Sequence, residues 1–264
     1  MREMGRFHAL SYAIRDQKPK IFDSWEDQCH EYFFSSNFQG PLLKGMTRLI
    51  SDVLNSYSPH QNEKEQRALE EFARDSSIIY KSGLVISSDD KKYAVEAHGD
   101  MELRNLLLKY GRSDDPEHPT ELCILDWQLM RVASPALDVL FFLFLSSDGE
   151  LRKQYYTKLI DEYYDSLSSF LRELGSDPEV LLPFPILLEH LRKLSGFVLL
   201  IAIWLLATNM KESDDVPDFS NIDSEDALVT MISVVPKRGY LQRIRELVSD
   251  MIEFDYPFSK LVDQ

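Results

Sequence analysis

Three short fragments near the middle of the chain contain side chains that could do chemistry together. They are His98-Gly99-Asp100, Asn105 and Asp126-Trp127-Gln128. Phosphoryl transfer needs a carboxylate beside the attacking hydroxyl and oxygen ligands for a magnesium ion that bridges the phosphates. An Asp and an Asn with four residues between them can both point into a cleft from one loop, and an Asp that ends a returning strand can reach the same metal. The spacing therefore favours phosphoryl transfer.

The elements that must position these side chains are a β-hairpin and the helices around it. Two short runs, 105–110 and 121–126, flank a loop of turn-forming residues at 111–120, which predicts a β-hairpin. On both sides of the hairpin, apolar residues recur at spacings of three and four, which indicates helices. One such series is Leu42, Met46, Leu49, Ile50, Val53 and Leu54.

The order of these fragments resembles a known group of enzymes. HGDxxxxN, a hairpin and then LDWQ resemble the aminoglycoside phosphotransferase and choline kinase superfamily. The longer stretches AHGDMELRNLLLKY and ELCILDWQLMRVASPALDVLFFLF are similar to the ecdysteroid kinase-like (CHK kinase-like) family, and the similarity runs from the first residues to about residue 207.

The resemblance implies a role for each of five residues. Asp100 would orient or deprotonate the substrate hydroxyl, and Asn105 and Asp126 would bind magnesium. His98 would support the catalytic loop, and Asp138 would bind backbone amides of that loop from the following helix. The residues that contact ATP itself are not identified.

The resemblance also implies a fold, which is α+β and predominantly helical. We expect a protein-kinase-like C-terminal lobe over residues 1–264, with a helical region at 1–92, the catalytic loop and metal-binding hairpin at 93–130, and a helical region at 131–264. A kinase also holds the phosphates from above with a flexible loop and a Lys paired with a Glu. No VAIK-like strand precedes the catalytic loop, so we expect the N-terminal β-rich lobe to be absent.

The expected function is ATP-dependent phosphorylation of a hydroxyl group on a small molecule, with Mg²⁺ as the metal cofactor. The resemblance suggests an ecdysteroid or a similar lipophilic alcohol as substrate. A truncated chain of this kind would be weakly active or inactive alone. The alternative is a pseudokinase-like binding or scaffold domain without turnover, so the sequence leaves open whether the chain is an enzyme.

Simpler interpretations exist for several of these residues. The segment His98-Gly99-Asp100 could be an ordinary turn, and Asp126 could cap a helix. Asp138 lies in the apolar run ALDVLFFLF, where an unpaired carboxylate is costly, so a structural role is favoured over a catalytic one. His8 is interpreted as a hydrogen-bonded helix histidine. Metalloprotease, zinc-cysteine and serine-hydrolase motifs (HExxH, Cys–His spacing, GxSxG) are absent from the sequence.

Charge and composition limit the kinds of partner and the location that the sequence predicts. The net charge of −15 and the lack of a basic stripe argue against a nucleic-acid partner. The most apolar stretch, Phe197 to Ala207, sits in an uncharged run of 16 residues, short of the roughly 20 that span a membrane, so we expect a buried core helix. Cys29 and Cys123 form no CxxC motif, and the charged first residues do not resemble a signal peptide. We therefore expect a cytoplasmic protein.

Overall fold

The structure is a computed structural model that describes residues 1–26, 28–29, 39–58, 62–84, 86–111, 118–211, 225–236 and 239–258. This part of the chain is mostly helical (72%), with small antiparallel sheets, as expected for an α+β fold. The helices are α1 (Arg2–Gln17), α2 (Pro19–Glu26), α3 (Gln39–Asn55), α4 (Glu63–Leu84), α5 (Pro135–Ser146), α6 (Gly149–Glu173), α7 (Pro178–Leu181), α8 (Phe184–Asn209), α9 (Glu225–Ile232) and α10 (Tyr240–Glu253). The strands are β1 (Val95–Ala97), β2 (Leu106–Tyr110), β3 (Pro119–Ile124) and β4 (Arg131–Ala133).

Contacts divide the chain into two compact units. The first contains Met1–Glu31, Ile86–Ser146 and Tyr155–Glu189. The second contains Tyr32–Val85, Ser147–Gln154 and His190–Gln264. All residues singled out for chemistry in the sequence belong to the first unit.

In the first unit, α1 packs against α2 and β1. It buries Met4, His8 and Tyr12, which recur every fourth residue and therefore share one helix face. The approach to α6 is close at Gly5, where an added Cβ would lie 2.6 Å from the carbonyl oxygen of Tyr163. Residue 5 must therefore lack a side chain for α1 and α6 to meet in this way.

A two-stranded antiparallel sheet of β1 and β4 lies beside α1. Its register pairs Val95 with Ala133 and Ala97 with Arg131. The Tyr12 hydroxyl donates to the carbonyl oxygen of Tyr93 at 2.6 Å, which anchors the chain just before β1. The sequence does not predict this sheet, because strands of three residues are too short to show a period of two.

The predicted hairpin is present as β2 and β3. Leu106 pairs with Ile124, and the register continues to Lys109 opposite Glu121, with an irregularity before Tyr110. The strands begin and end within two residues of the predicted runs. The tip of the predicted loop, residues 112–117, lies outside the described residues. Most of the hairpin is exposed, including Leu107 at 58% and Tyr110 at 46%.

The second unit packs α3 against α4 and α9, and α10 against α3 and α4. The apolar series predicted for α3 forms its buried face, and its members Leu42, Met46, Leu49, Ile50 and Val53 are all fully buried. Gly45 allows α9 to approach, since a Cβ there would overlap the side chain of Ile232. A buried ion pair joins Arg152 Nε to Asp250 Oδ2 at 2.6 Å.

Helix α8 contains the apolar run predicted as a core helix. By length and composition, the segment Pro178–Asn209 could cross a bilayer, since its most apolar window has a mean hydropathy of 1.7. In the structure, 67% of that window is buried within the protein. Burial of this kind is common for core helices, so the helix is weak evidence for a membrane span.

Candidate active site

Gly99 gives the catalytic loop, residues 98–105, its shape. Its φ of 82° lies in the left-handed region that glycine adopts without penalty. A Cβ at this position would also overlap the carbonyl oxygen of Leu129. Both observations require glycine here and turn the chain sharply between His98 and Asp100. The segment is therefore a turn, as the simpler interpretation has it, and it also places Asp100 beside Asn105.

Asp100 and Asn105 contact each other directly. The Asn105 Nδ2 group donates to the backbone carbonyl oxygen of Asp100 at 2.8 Å and to its carboxylate Oδ2 at 3.0 Å. This fixes the Asn105 amide so that its Oδ1 points away from Asp100. Burial, followed by the nearby negative charge of Glu102, raises the pKa of Asp100 above its ordinary value. A half-buried carboxylate with a raised pKa suits a general base.

Asp126 is next to a residue that is hydrogen-bonded to Asn105. The backbone N–H of Leu125 donates to the carbonyl oxygen of Asn105 at 2.8 Å. Asp126 itself is exposed and has left-handed backbone angles, φ 63° and ψ 60°. It precedes a short 3₁₀ turn, Trp127–Leu129, without a capping hydrogen bond from its side chain. Helix capping therefore does not account for its carboxylate.

His98 connects the catalytic loop to the end of the hairpin. Its Nε2 is 2.8 Å from the carbonyl oxygen of Leu125, and its Nδ1 is 3.2 Å from the backbone nitrogen of Asp100. A carbonyl can only accept, so the ring proton lies on Nε2 and Nδ1 accepts from the Asp100 N–H. The ring also makes an edge contact with Trp127 at a centroid distance of 4.7 Å. His98 thus holds together the two segments that contain Asp100 and Asp126.

Asp138 lies behind the loop, fully buried at the start of α5. Its carboxylate accepts hydrogen bonds from the backbone N–H groups of His98 at 2.6 Å and Gly99 at 2.9 Å. Both amides belong to the loop at 98–105. Burial alone opposes ionisation, but the hydrogen bond and charge of His8 and the two amide bonds lower the pKa of Asp138 below its ordinary value.

His8 extends this arrangement to α6. Its Nε2 is 3.1 Å from Asp138 Oδ2, and its Nδ1 is 2.7 Å from the Tyr163 hydroxyl. Burial raises the pKa of Tyr163 well above its ordinary value, so the phenol keeps its proton and its hydroxyl shares a hydrogen bond with His8 Nδ1. We call Tyr163, His8 and Asp138 the Asp138 network. His8 is hydrogen-bonded, as the sequence indicated, but its connection to the catalytic loop is information that only the fold provides.

One supporting residue had no signal in the sequence. The Ser146 hydroxyl, at the end of α5, accepts a hydrogen bond from the backbone N–H of Leu103 at 2.8 Å. With Asp138 at the start of the same helix, α5 therefore holds the loop at two points. A serine in this place looks like an ordinary surface residue until the loop is positioned.

The side chains near Asp100 fit a magnesium ion in type. The amide Oδ1 of Asn105 and the carboxylate of Asp126 have no hydrogen-bond partner among the described residues. Both are hard oxygen donors, which Mg²⁺ prefers, and Mg²⁺ is usually bound by only one or two carboxylates together with substrate phosphates. A cluster of three or more His, Cys, Asp or Glu side chains, as a structural metal site needs, is absent from the part of the chain that the structure describes.

A comparison with protein families shows which family the chain belongs to. The model of the ecdysteroid kinase-like family matches residues 1–176. This chain belongs to the ecdysteroid kinase-like family. The match includes the catalytic loop, the hairpin and the Asp138 network, and it places the chain in the aminoglycoside and choline kinase-like superfamily. No curated protein and no solved structure matches the chain.

Membership of the ecdysteroid kinase-like family gives a coarse function. It indicates a kinase-like phosphotransferase that acts on small molecules, with ATP as phosphate donor, typically with Mg²⁺. The matched segment ends between α6 and α7, since residue 176 follows Glu173 and precedes Pro178. Helices α7 to α10 therefore lie outside the region that the family match covers.

Proposed function

We propose that the protein transfers the γ-phosphate of ATP to a hydroxyl group of a small molecule, and that Asp100 acts on that hydroxyl. The observation that carries the proposal is the pair of hydrogen bonds from Asn105 to Asp100. They hold the half-buried carboxylate of Asp100, whose pKa is raised, beside the Asn105 amide, whose oxygen can bind a metal. This is the arrangement that phosphoryl transfer requires.

Each residue has a distinct role in this proposal. Asp100 accepts the hydrogen bond of the substrate hydroxyl and orients it for in-line attack. It takes the hydroxyl proton as the new O–P bond to the γ-phosphorus forms and the bond from that phosphorus to the β–γ bridging oxygen breaks, with ADP as the leaving group. Asn105 and Asp126 would hold magnesium through their side-chain oxygens. Bound magnesium supplies positive charge that neutralises the phosphate oxygens. His98 keeps the two segments together, and Asp138 fixes the loop amides of His98 and Gly99.

We further propose that the described residues correspond to a kinase C-terminal lobe. They form two sheets of two strands each and no larger sheet. The hairpin exposes Leu107, Leu108, Tyr110 and Leu122. An exposed apolar surface of this kind is typical of an interface, which favours a further lobe that packs against the hairpin. Positioning of both reactants can supply about 7–11 kcal/mol of barrier reduction, so we expect little turnover where only one wall of the cleft is present.

The substrate class and the compartment are part of the proposal. The family's name suggests an ecdysteroid or a similar lipophilic alcohol as acceptor. The two cysteines, Cys29 and Cys123, are free, which supports a cytoplasmic location. A pseudokinase-like domain that binds without turnover is the second candidate, and the small sheets of the described part favour it.

The test is a transfer assay with matched carboxylate variants. Radiolabelled ATP, Mg²⁺ and a panel of steroid and other alcohols are incubated with the wild type, Asp100→Asn and Asp161→Asn. Asp161 is exposed on α6 and serves as the control. We expect Asp100→Asn to lose transfer by about 10²-fold or more, as for a general base, and Asp161→Asn to match the wild type.

The results of this assay distinguish the two candidate functions. Measurable turnover that is equal in the wild type and Asp100→Asn would remove Asp100 from the mechanism. Binding of magnesium-ATP without transfer to any alcohol, also when a β-rich segment is joined upstream, would favour the pseudokinase-like domain.

A further inference from the structure

A cavity of about 900 Å³ lies in the second unit and contains none of the candidate active-site residues. Its walls come from residues 56–58 after α3, Asn62 and the first turn of α4, the first turns of α6, and α10. A volume of this size is within the range of small-molecule binding sites. The sequence gives no indication of the cavity, because its lining residues come from three distant segments of the chain.

The described residues that line this cavity are polar throughout. Half of them are Ser, Asn, Gln or Tyr, and the only one without a polar side chain is Gly149. No Leu, Ile, Val, Met or Phe is among these residues, so the apolar part of the wall consists of the Tyr57 ring and the carbon stems of polar side chains. A lipophilic molecule would leave the polar groups of the wall unpaired, which is costly. The charged residues comprise four carboxylates and two cations, an excess that disfavours a phosphate or another anion.

Buried polar atoms at the cavity lack partners. Tyr57 and Asp250 both line the cavity and are 9% and 1% exposed. The Tyr57 hydroxyl and the Asp250 Oδ1 atom have no hydrogen-bond partner among the described residues, and the same holds for Nη2 of Arg152. Arg152 is the ion-pair partner of Asp250. Native proteins leave few buried polar atoms unpaired, so two on cavity-lining residues and a third on the ion-pair partner of Asp250 need an explanation.

The three atoms differ in whether they donate or accept hydrogen bonds. Asp250 Oδ1 can only accept a hydrogen bond, and Arg152 Nη2 can only donate one. Burial raises the pKa of Tyr57 to about 12, so its hydroxyl keeps the proton and can both donate and accept. A hydroxyl group satisfies all three types of atom, since it donates to a carboxylate and accepts from a guanidinium. An ammonium group cannot accept, and a carboxylate or phosphate cannot donate when ionised.

Arg245 keeps Tyr57 in place at the cavity wall. Its Nη1 donates to the carbonyl oxygen of Ser56 at 2.9 Å, and its guanidinium lies 5.9 Å from the centre of the Tyr57 ring. The segment that contains Tyr57 is thereby tied to α10, the helix that contributes Asp250. The polar atoms are held by the protein before any ligand arrives.

We infer that this cavity binds a polyhydroxylated, uncharged small molecule through its hydroxyl groups, with Tyr57 and Asp250 as the main recognising side chains. The inference does not depend on phosphotransfer, and it concerns a different set of residues. Ordered water alone and a cationic amine are the competing occupants, and the experiment distinguishes them.

The test compares ring compounds that differ in their hydroxyl groups. Binding of myo-inositol, cyclohexanol and cyclohexylammonium to the full 264-residue chain is measured by saturation-transfer NMR. Thermal midpoints are unsuitable, because polyols stabilise proteins by exclusion from their surface. We expect saturation of myo-inositol protons, no saturation of cyclohexanol, and a loss of affinity of about five- to tenfold in Tyr57→Phe, as for one lost hydrogen bond.

Two variants keep the result interpretable. Tyr256→Phe removes a hydroxyl in the same unit but outside the cavity lining, and should bind like the wild type. Ser249→Ala removes a cavity hydroxyl without touching Tyr57, and should also weaken binding. Absence of myo-inositol binding to the wild type would mean that water alone occupies the cavity. Preferential binding of cyclohexylammonium, or equal binding to the wild type and both cavity variants, would also overturn the inference.

Discussion

His8 donates a hydrogen bond from Nε2 to Oδ2 of Asp138 at 3.1 Å, and both side chains are completely buried. Asp138 in turn accepts from the backbone amides of His98 and Gly99. His8 therefore lies behind the catalytic loop and acts on it through Asp138. The position of the loop depends on α1 and α6 as well as on its own residues.

The Asp138 network can be tested by a double-mutant cycle. His8→Ala leaves Asp138 without its side-chain partner, and Tyr163→Phe leaves His8 Nδ1 without its partner. We expect each change to reduce the free energy of unfolding by about 1–3 kcal/mol, measured by urea denaturation. The double variant should lose less than the sum, with a coupling above about 0.5 kcal/mol. Tyr155→Phe, on the exposed side of α6, is the control; strict additivity would contradict the network.

Gly99 should tolerate alanine less well than Gly175 does. Both have φ near 80°, at 82° and 85°, so alanine meets the same left-handed backbone penalty at each, about 1–2 kcal/mol. Only at Gly99 would the new Cβ overlap a backbone carbonyl, since nothing lies closer than 4.0 Å to a Cβ at Gly175. We expect Gly99→Ala to cost about 1–3 kcal/mol more, as overpacking does. Equal losses in urea denaturation would show that the loop moves aside freely.

Asp126→Asn should weaken metal binding without unfolding the protein. Asp126 is exposed and makes no capping hydrogen bond, so its removal leaves no buried group unpaired. Electron paramagnetic resonance of Mn²⁺ with ATP reports the bound metal directly. We expect a loss of affinity of about tenfold or more, since even partners of metal ligands contribute this much. Asp161→Asn should behave as the wild type; if it and Asp126→Asn bind Mn²⁺ equally, Asp126 is not a metal ligand.

The burial of Glu96 predicts an unusual dependence of the protein's stability on pH. Its carboxylate is buried in β1, and neither oxygen has a hydrogen-bond partner among the described residues. Burial raises its pKa from 4.5 to about 7. The folded state therefore binds this proton more tightly than the unfolded state does. Its contribution to stability is complete below pH 4.5 and is lost as the pH rises toward 7.

The variant Glu96→Gln tests this dependence. Gln cannot ionise, so the variant should be more stable than the wild type at pH 8, by up to about 3 kcal/mol, and similar to it at pH 5. Urea denaturation at the two pH values measures the difference, and Glu121→Gln on the exposed hairpin serves as the control. A constant difference between Glu96→Gln and the wild type at both pH values would show that the pKa of Glu96 is not raised into this pH range.

Much of the site was predictable because its residues are local in sequence. Asp100 and Asn105 lie in one loop, and the hairpin that leads to Asp126 has runs long enough to be identified. The sheet of β1 and β4 was not predictable, because its pairing joins three-residue segments that are far apart in the chain. The roles of His8 and Ser146 depend on α1 and α5 meeting the loop, and Glu96 became visible only when its burial without a partner was known.

The Asp138 network also has a consequence for the order in which the protein forms during synthesis. The hydrogen bond between His8 and Tyr163 spans 155 positions in the chain. A ribosome therefore has to release α6 before the loop at 98–105 can receive its final support, long after the loop itself has emerged. Contacts of such high sequence separation form slowly, because a large loop must close first. The nascent protein consequently holds an unsupported catalytic loop for part of its synthesis, and a chaperone that binds apolar helices such as α5 would act in that interval.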